Sequence, residues 1–323
     1  MATEGRAGGS AAAQDKQDAQ AGASAPTAGH PRRVRVAVAA LVFNAFAWGV
    51  SWWPFRELGG RGLHALWATV IVYLIGVIVI TLVRPSAWGQ LMRAPALWWL
   101  VLASGATNAT FNWGVTIGDV VRVVLLFYLM PLWAMLLARV LLGEPFTRAA
   151  LLRLAMALAG AAIVLWPPAQ AGDGAAFAWP APATLAEWLG LAGGFAFALT
   201  NVLLRREAAE PETARALAMF LGGALVAGAL AFALASAALV PWPGPAERWA
   251  LGVGLLALWF MASNLALQHG AARVPASVTA VVMVSEVVFA SVSAVLLGAS
   301  TVTPTLALGA CLIVGASVLA ARA

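Results

Sequence analysis

Glu286 is the one clear carboxyl deep within a long apolar stretch of this chain, and Thr279, Glu286 and Ser293 recur every seven residues, along one face of a helix. An unpaired polar group in hydrocarbon is costly, so a carboxyl there faces a cavity or a neighbouring helix. Facing a cavity, Glu286 would change protonation during a cycle or bind a cationic group, which makes it the proton-coupling candidate. Facing a helix, it would be a protonated side chain that hydrogen-bonds to a neighbour and holds the fold.

Other midspan side chains offer a similar choice. Asn44, Trp48 and Ser51 form an i, i+4, i+7 stripe, an aromatic wall flanked by hydrogen-bonding groups. Asn108 with Asn112, and Asn264 with Gln268, are amide pairs four residues apart. They suit the lining of a polar cavity, and they equally suit bonds between helices. Trp113, Tyr128 and Trp133 either line a cavity or pack. Asp119, following Gly118, reads as a helix N-cap, with Arg122 one turn later near the outer mouth. Gly190 and Gly194 have the spacing that lets helices approach closely.

These residues include no nucleophile with its base, no paired carboxylates and no metal cluster. His64 and His269 lack a second histidine at ligand spacing, so an enzyme, a metal site and a cofactor are not expected. Gly252-Val253-Gly254-Leu255-Leu256-Ala257 mimics a dinucleotide fingerprint but lies within an apolar span with no preceding strand. No Walker sequence occurs, which argues against direct ATP drive by this chain.

The elements that must position these groups are membrane helices. The chain has 323 residues, 62% hydrophobic and 10% charged, where roughly 25% charge is usual for soluble domains. Apolar runs near 20 residues recur almost end to end, each long enough to cross a hydrocarbon layer of about 30 Å. The net charge of +6 comes from arginines scattered singly or in pairs, so nucleic acid is not an expected partner. Cys311, the one cysteine, reads as a small buried apolar residue.

Breakers such as Arg84-Pro85, Gly118-Asp119, Gly143-Glu144-Pro145, Pro167-Pro168 and Pro241-Trp242-Pro243 separate ten predicted spans. These lie near 36–55, 62–83, 95–117, 119–142, 149–167, 184–205, 214–240, 248–269, 274–298 and 303–321. With the N-terminus inside, fifteen of the nineteen basic residues fall on the cytoplasmic side; only Arg56, Arg61, Arg122 and Arg248 fall opposite. Both termini are therefore expected in the cytoplasm. The division is 1–33, a disordered tail; 34–168, a five-helix unit; 169–183, a periplasmic linker; and 184–323, a second five-helix unit.

A shift of 155 positions aligns Val140-Leu141-Leu142-Gly143 with Val295-Leu296-Leu297-Gly298, and Gly160 with Gly315. Five helices per unit is an odd number, so the second copy enters the membrane from the opposite side. The fold class expected is an all-α polytopic membrane protein of ten transmembrane helices in two inverted five-helix repeats, an architecture built for alternating access.

Phe46-Ala47-Trp48-Gly49-Val50-Ser51-Trp52 resembles the first-helix opening of EamA-type members of the drug/metabolite transporter superfamily. Gly194 to Val202, which includes Asn201, is similar to the second-repeat opening, and Leu137 to Pro145 resembles the fourth-helix ending. Ser285-Glu286-Val287-Val288-Phe289-Ala290 resembles the ninth-helix Glu-Pro-Val segment. Val287 stands where the family commonly has Pro, and Ala299 stands where the first repeat has Glu144. The resemblance implies a ten-helix basket with a central cavity that exports amino acids or other small metabolites, sometimes drugs, across the bacterial inner membrane. The expected partners are a small-molecule substrate and the lipid bilayer, in a monomer or homodimer. The other reading is a facilitative, channel-like or import permease for another metabolite or drug.

Overall fold

The computed structural model describes residues 30–143, 148–165, 181–271, 273 and 282–321, and all regular structure among them is helical. In hydrocarbon a helix satisfies its own backbone groups, which is why uninterrupted apolar sequence folds this way. The helices are α1 (His30–Gly49), α2 (Trp52–Gly60), α3 (Ala65–Val83), α4 (Ser86–Arg93), α5 (Leu97–Ile117), α6 (Val120–Phe127) and α7 (Met130–Leu142). They are followed by α8 (Arg148–Leu165), α9 (Leu185–Arg206), α10 (Glu212–Ser236), a 3-10 turn (Ala246–Arg248), α11 (Ala250–Ala271), α12 (Ser285–Leu296) and α13 (Pro304–Ala321).

Among the described residues, six stretches are long and apolar enough to cross a membrane: Val34–Gly60, Ala65–Val83, Val120–Leu141, Leu185–Arg206, Glu212–Ser236 and Ala250–Leu267. Leu154–Val164, Ser285–Leu296 and Pro304–Ala316 are apolar but shorter. α5 has the length, but Ser104, Thr107, Asn108, Thr110, Asn112 and Thr116 make it more polar than these. Each expected span overlaps one helix or a consecutive pair. Residues 144–147, most of the expected linker, and 274–281 with Thr279 lie outside the described residues, as do Glu144, Pro145, Trp166 and Trp179.

The structure departs from the expected spans in local ways with physical causes. The first span breaks at Val50-Ser51, where the Ser51 hydroxyl donates to the Trp48 carbonyl at 2.7 Å. The fourth breaks at Tyr128-Leu129 because Pro131 has no N–H to give the Phe127 carbonyl one turn back. α4 forms where a loop was expected: Ala87 and Leu91, four apart, are both fully buried, and the Trp88 indole donates to the Thr81 hydroxyl at 2.9 Å. Within 282–284 the helix is interrupted at Val284 without a proline, and Val287 keeps its N–H, which donates to the Val284 carbonyl at 3.1 Å. Gly143 and Gly298 end α7 and α12 at φ +71° and +68°, the left-handed conformation that glycine adopts without penalty.

The most extensive packings join elements before residue 166 to elements after 180. α5 lies against α9 and α10, α3 against α10, α8 against α13, α1 against α11 and α12, and α9 against α6 and α7. Glycines permit the closest approaches: a Cβ on Gly222 would stand 2.1 Å from the Val101 carbonyl oxygen, and one on Gly105 would stand 2.3 Å from that of Gly222. Large apolar side chains cover the outside, with Val140, Leu251 and Leu296 at 78%, 77% and 79% exposure. Cys311 is exposed on α13, not buried as expected, because in lipid a small apolar side chain gains nothing by turning inward.

Candidate functional site

Glu286 lies in the first turn of α12 and is only 8% exposed. Its carboxylate oxygen lies 3.1 Å from the Tyr128 hydroxyl, which also stands 3.0 Å from the Met283 carbonyl oxygen. Tyr128 ends α6 at one helix break and Met283 precedes the other, so the two interruptions are tied through one phenol. The same region is reached by α1: a Cβ on Gly49 would stand 2.8 Å from the Glu286 carbonyl oxygen. On the other side of Tyr128, a Cβ on Gly194 would stand 2.5 Å from the Phe127 carbonyl oxygen. Gly190 likewise sits against the Val123 carbonyl, so the Gly190/Gly194 spacing carries α9 onto α6. Ser293, two turns beyond Glu286, accepts the Trp52 indole N–H at 3.0 Å, which fastens α2 to α12.

The amides sort themselves onto different helix pairs. Asn44 is fully buried and donates to the carbonyl and hydroxyl of Ser263 on α11, at 2.9 and 2.7 Å. Trp48 stacks at a tilt on Phe260, with centroids 4.6 Å apart, and Ser51 bonds to its own helix end. The stripe therefore divides, with Asn44 and Trp48 turned to α11. Asn108 accepts the Tyr73 hydroxyl and donates to the Ser104 carbonyl at 2.8 Å. Asn112 donates to the Thr69 hydroxyl at 3.0 Å, and its Oδ1 is buried without a partner. Asn44 Oδ1 is in the same condition. Trp113 meets His64 edge-on at 5.7 Å, and Trp133 meets Phe195 at 5.6 Å. Asn201 is exposed and donates to the Phe197 carbonyl at 2.8 Å. Asn264 is half-buried on α11, and the side chain of Gln268 lies outside the described residues.

These differences in pairing predict opposite outcomes for two neighbouring amides. Asn112→Leu removes both a bond and an unpartnered oxygen, and Thr69 keeps its bond to the Ala65 carbonyl. Unfolding of the purified protein in detergent is therefore expected within about 1 kcal/mol of wild type. Asn108→Leu instead leaves the buried Tyr73 hydroxyl without its acceptor, at a cost of about 1–3 kcal/mol. Equal losses for the two would contradict this pairing.

A polar cluster at one face was not assembled from the sequence. Asp119 caps α6 through the Arg122 N–H at 2.9 Å, as expected, while its other oxygen accepts the Ser300 hydroxyl at 2.6 Å. Arg122 pairs with Glu187 at 2.9 Å. Arg56 donates to the Val115 and Gly118 carbonyls at the end of α5, and its guanidinium lies 5.0 Å from the centre of the Trp52 ring. Thr184 and Glu187 form a capping box, and that Thr-x-x-Glu spacing was the available sequence signal. At the opposite face, a cavity of about 240 Å³ opens between the start of α5 and the end of α9, lined by Pro95, Ala96, Trp99, Leu203, Arg206 and Glu207. None of the candidate side chains above lines it.

Residues 35–166 match the EamA-like transporter family. One solved crystal structure of a protein is similar over 88% of this chain and 96% of its own, with a TM-score of 0.52 at 19% identity, which shows a shared fold. None of the curated proteins matches. The helices that carry the Trp-Gly-Val-Ser opening, Tyr128 and the fourth-span ending all lie within the matched residues, so this part of the chain is similar to EamA-like transporters, a family of small-molecule transporters.

Proposed function

We propose that this protein is a secondary transporter that exports amino acids with aromatic or other apolar side chains, or similar small metabolites, across the bacterial inner membrane by alternating access. The observation that carries the reading is the bond from Tyr128 to Met283 beside Glu286. Tyr128 and Met283 are 155 positions apart, the same shift that relates Gly143 to Gly298. Two interrupted spans meeting at equivalent residues is the arrangement expected at the axis of an inverted repeat, where binding sites form.

The packing supports the same ten-span, two-unit architecture, with units at 34–168 and 184–323. Advancing each helix by five spans converts the α5–α9 contact into α11–α1, α5–α10 into α11–α3, and α9–α7 into α1–α12, all of which occur. The α3–α10 and α8–α13 contacts map onto themselves. The face bearing Arg56, Arg122 and Asp119 is then periplasmic. The face where Arg84, Arg93, Arg206 and Arg215 gather is cytoplasmic, with both termini.

In this scheme Glu286 is the proton-coupling group, held by Tyr128, and Asn44, Trp48, Ser51, Asn108, Asn112, Trp113, Asn201, Asn264 and Gln268 are the pool from which substrate contacts are drawn. The test is reconstitution in liposomes with a panel of radiolabelled amino acids. Saturable flux of apolar or aromatic members is the expected result. Flux that rises linearly with concentration would favour a channel-like permease. Silence across the panel would overturn amino acids as the substrate class.

A further inference from the structure

The first turn of α6 holds two other elements at once. Asp119 accepts the Ser300 hydroxyl, from the turn after α12, while Arg122 pairs with Glu187 in the first turn of α9. Both bonds therefore run from an element before residue 166 to one after 180. Glu187 is already positioned, its second oxygen accepting the Ala183 N–H at 2.8 Å and the Thr184 N–H at 3.2 Å.

Beneath these bonds the contact is made of small residues. A Cβ on Gly118 would stand 2.3 Å from that of Ala186, and one on Gly190 would stand 2.8 Å from the Val123 carbonyl oxygen. The small residues bring the backbones together, and the Val123 side chain is seated against Gly114 and Gly118 beneath the bonds. Water reaches these bonds from the arginine side only: the Arg122 side chain is 31% exposed, that of Glu187 is 8% exposed, and Arg122 Nε is buried without a partner. Such a pair parts at low cost only if water follows to hydrate the carboxylate, which the exposed guanidinium edge allows.

The opposite end of the same helices differs. There Leu203 near the end of α9 and Leu97 and Leu100 at the start of α5 share one buried apolar cluster, and the cavity of about 240 Å³ opens beside them. α9 is thus fastened by charged and capped side chains at the Asp119 face, whereas at the Arg206 face it borders an open cavity.

We propose that Asp119–Ser300 and Arg122–Glu187 form a releasable lock that holds the Asp119 face shut and that must open before the buried polar groups communicate with that face. The proposal rests on the alternating-access reading, and its test requires no substrate. In a Cys311→Ser background, Val123→Cys places a thiol beneath the lock, at a site that is fully buried in the closed arrangement. Its reaction with a membrane-impermeant maleimide is then compared with and without Glu187→Gln and Ser300→Ala. Glutamine keeps the capping box at position 187, and Asp119 keeps its cap at Arg122, so only the cross-links are removed.

The labelling rate is expected to rise about tenfold, the effect of relieving about 1.4 kcal/mol of closure. A thiol at Val101, buried between α5 and α10, must stay unreactive in the same variants. An unchanged rate at position 123, or equal rises at both positions, would overturn the lock. A selective rise in a protein that moves no amino acid would uphold the lock and reject the substrate class.

Discussion

Gly222→Leu is expected to destabilise the protein by about 3 kcal/mol, the upper end of the cost of overpacking. The added Cβ would stand 2.1 Å from the Val101 carbonyl oxygen and 2.7 Å from the Ser104 hydroxyl, and the nearer atom is backbone, which cannot rotate away. α5 and α10 would have to separate, which pulls Gly105 off the Gly222 carbonyl and disturbs the helix that carries Asn108 and Asn112. Gly89 is the matched control. It lies within α4 with nothing within 4 Å of its Cβ position, so Gly89→Ala should stabilise by up to about 1 kcal/mol through helix propensity alone. Thermal unfolding in detergent separates the two, and similar behaviour would mean that the α5–α10 contact does not limit stability.

Glu286→Gln should leave the fold intact while removing any response of flux to an imposed pH gradient. Glutamine keeps an oxygen that can accept from Tyr128, so stability should change by no more than about 1 kcal/mol. What glutamine cannot do is exchange a proton. Transport in liposomes that is gradient-sensitive in the wild type and insensitive in the variant would make this carboxyl the coupling group. Retained gradient sensitivity would assign Glu286 to packing between the two broken spans.

Hydropathy made the helices legible, and punctuation made several ends legible: Asp119 caps α6, and Gly143 and Gly298 close α7 and α12. The likeness to EamA-type transporters was legible in the Trp48-Gly49-Val50-Ser51-Trp52 opening, whose glycine brings α1 against the backbone at Glu286. The facing of individual side chains was not. In lipid both surfaces of a helix are apolar, so periodicity does not separate inside from outside, and Cys311 was placed on the wrong one. An amide at Asn44 carries no mark of its partner; Ser263 lies 219 positions away. The Arg122–Glu187 and Asp119–Ser300 bonds were equally hidden, since each joins residues far apart in sequence whose pairing only the packed structure reveals.

The order in which these partners are made bears on how the chain is built at the membrane. Synthesis runs from the N-terminus, so α3 and α5 are in place early, and the bonds of Asn108 to Tyr73 and of Asn112 to Thr69 can shelter those amides from lipid at once. Asn44 and Tyr128 have no such early shelter. Ser263, Met283 and Glu286 emerge from the ribosome far later, and until then the nascent chain carries an amide and a phenol awaiting their acceptors. An insertion chaperone that shields α1 and α6 during that interval would have a physical task defined by those two side chains.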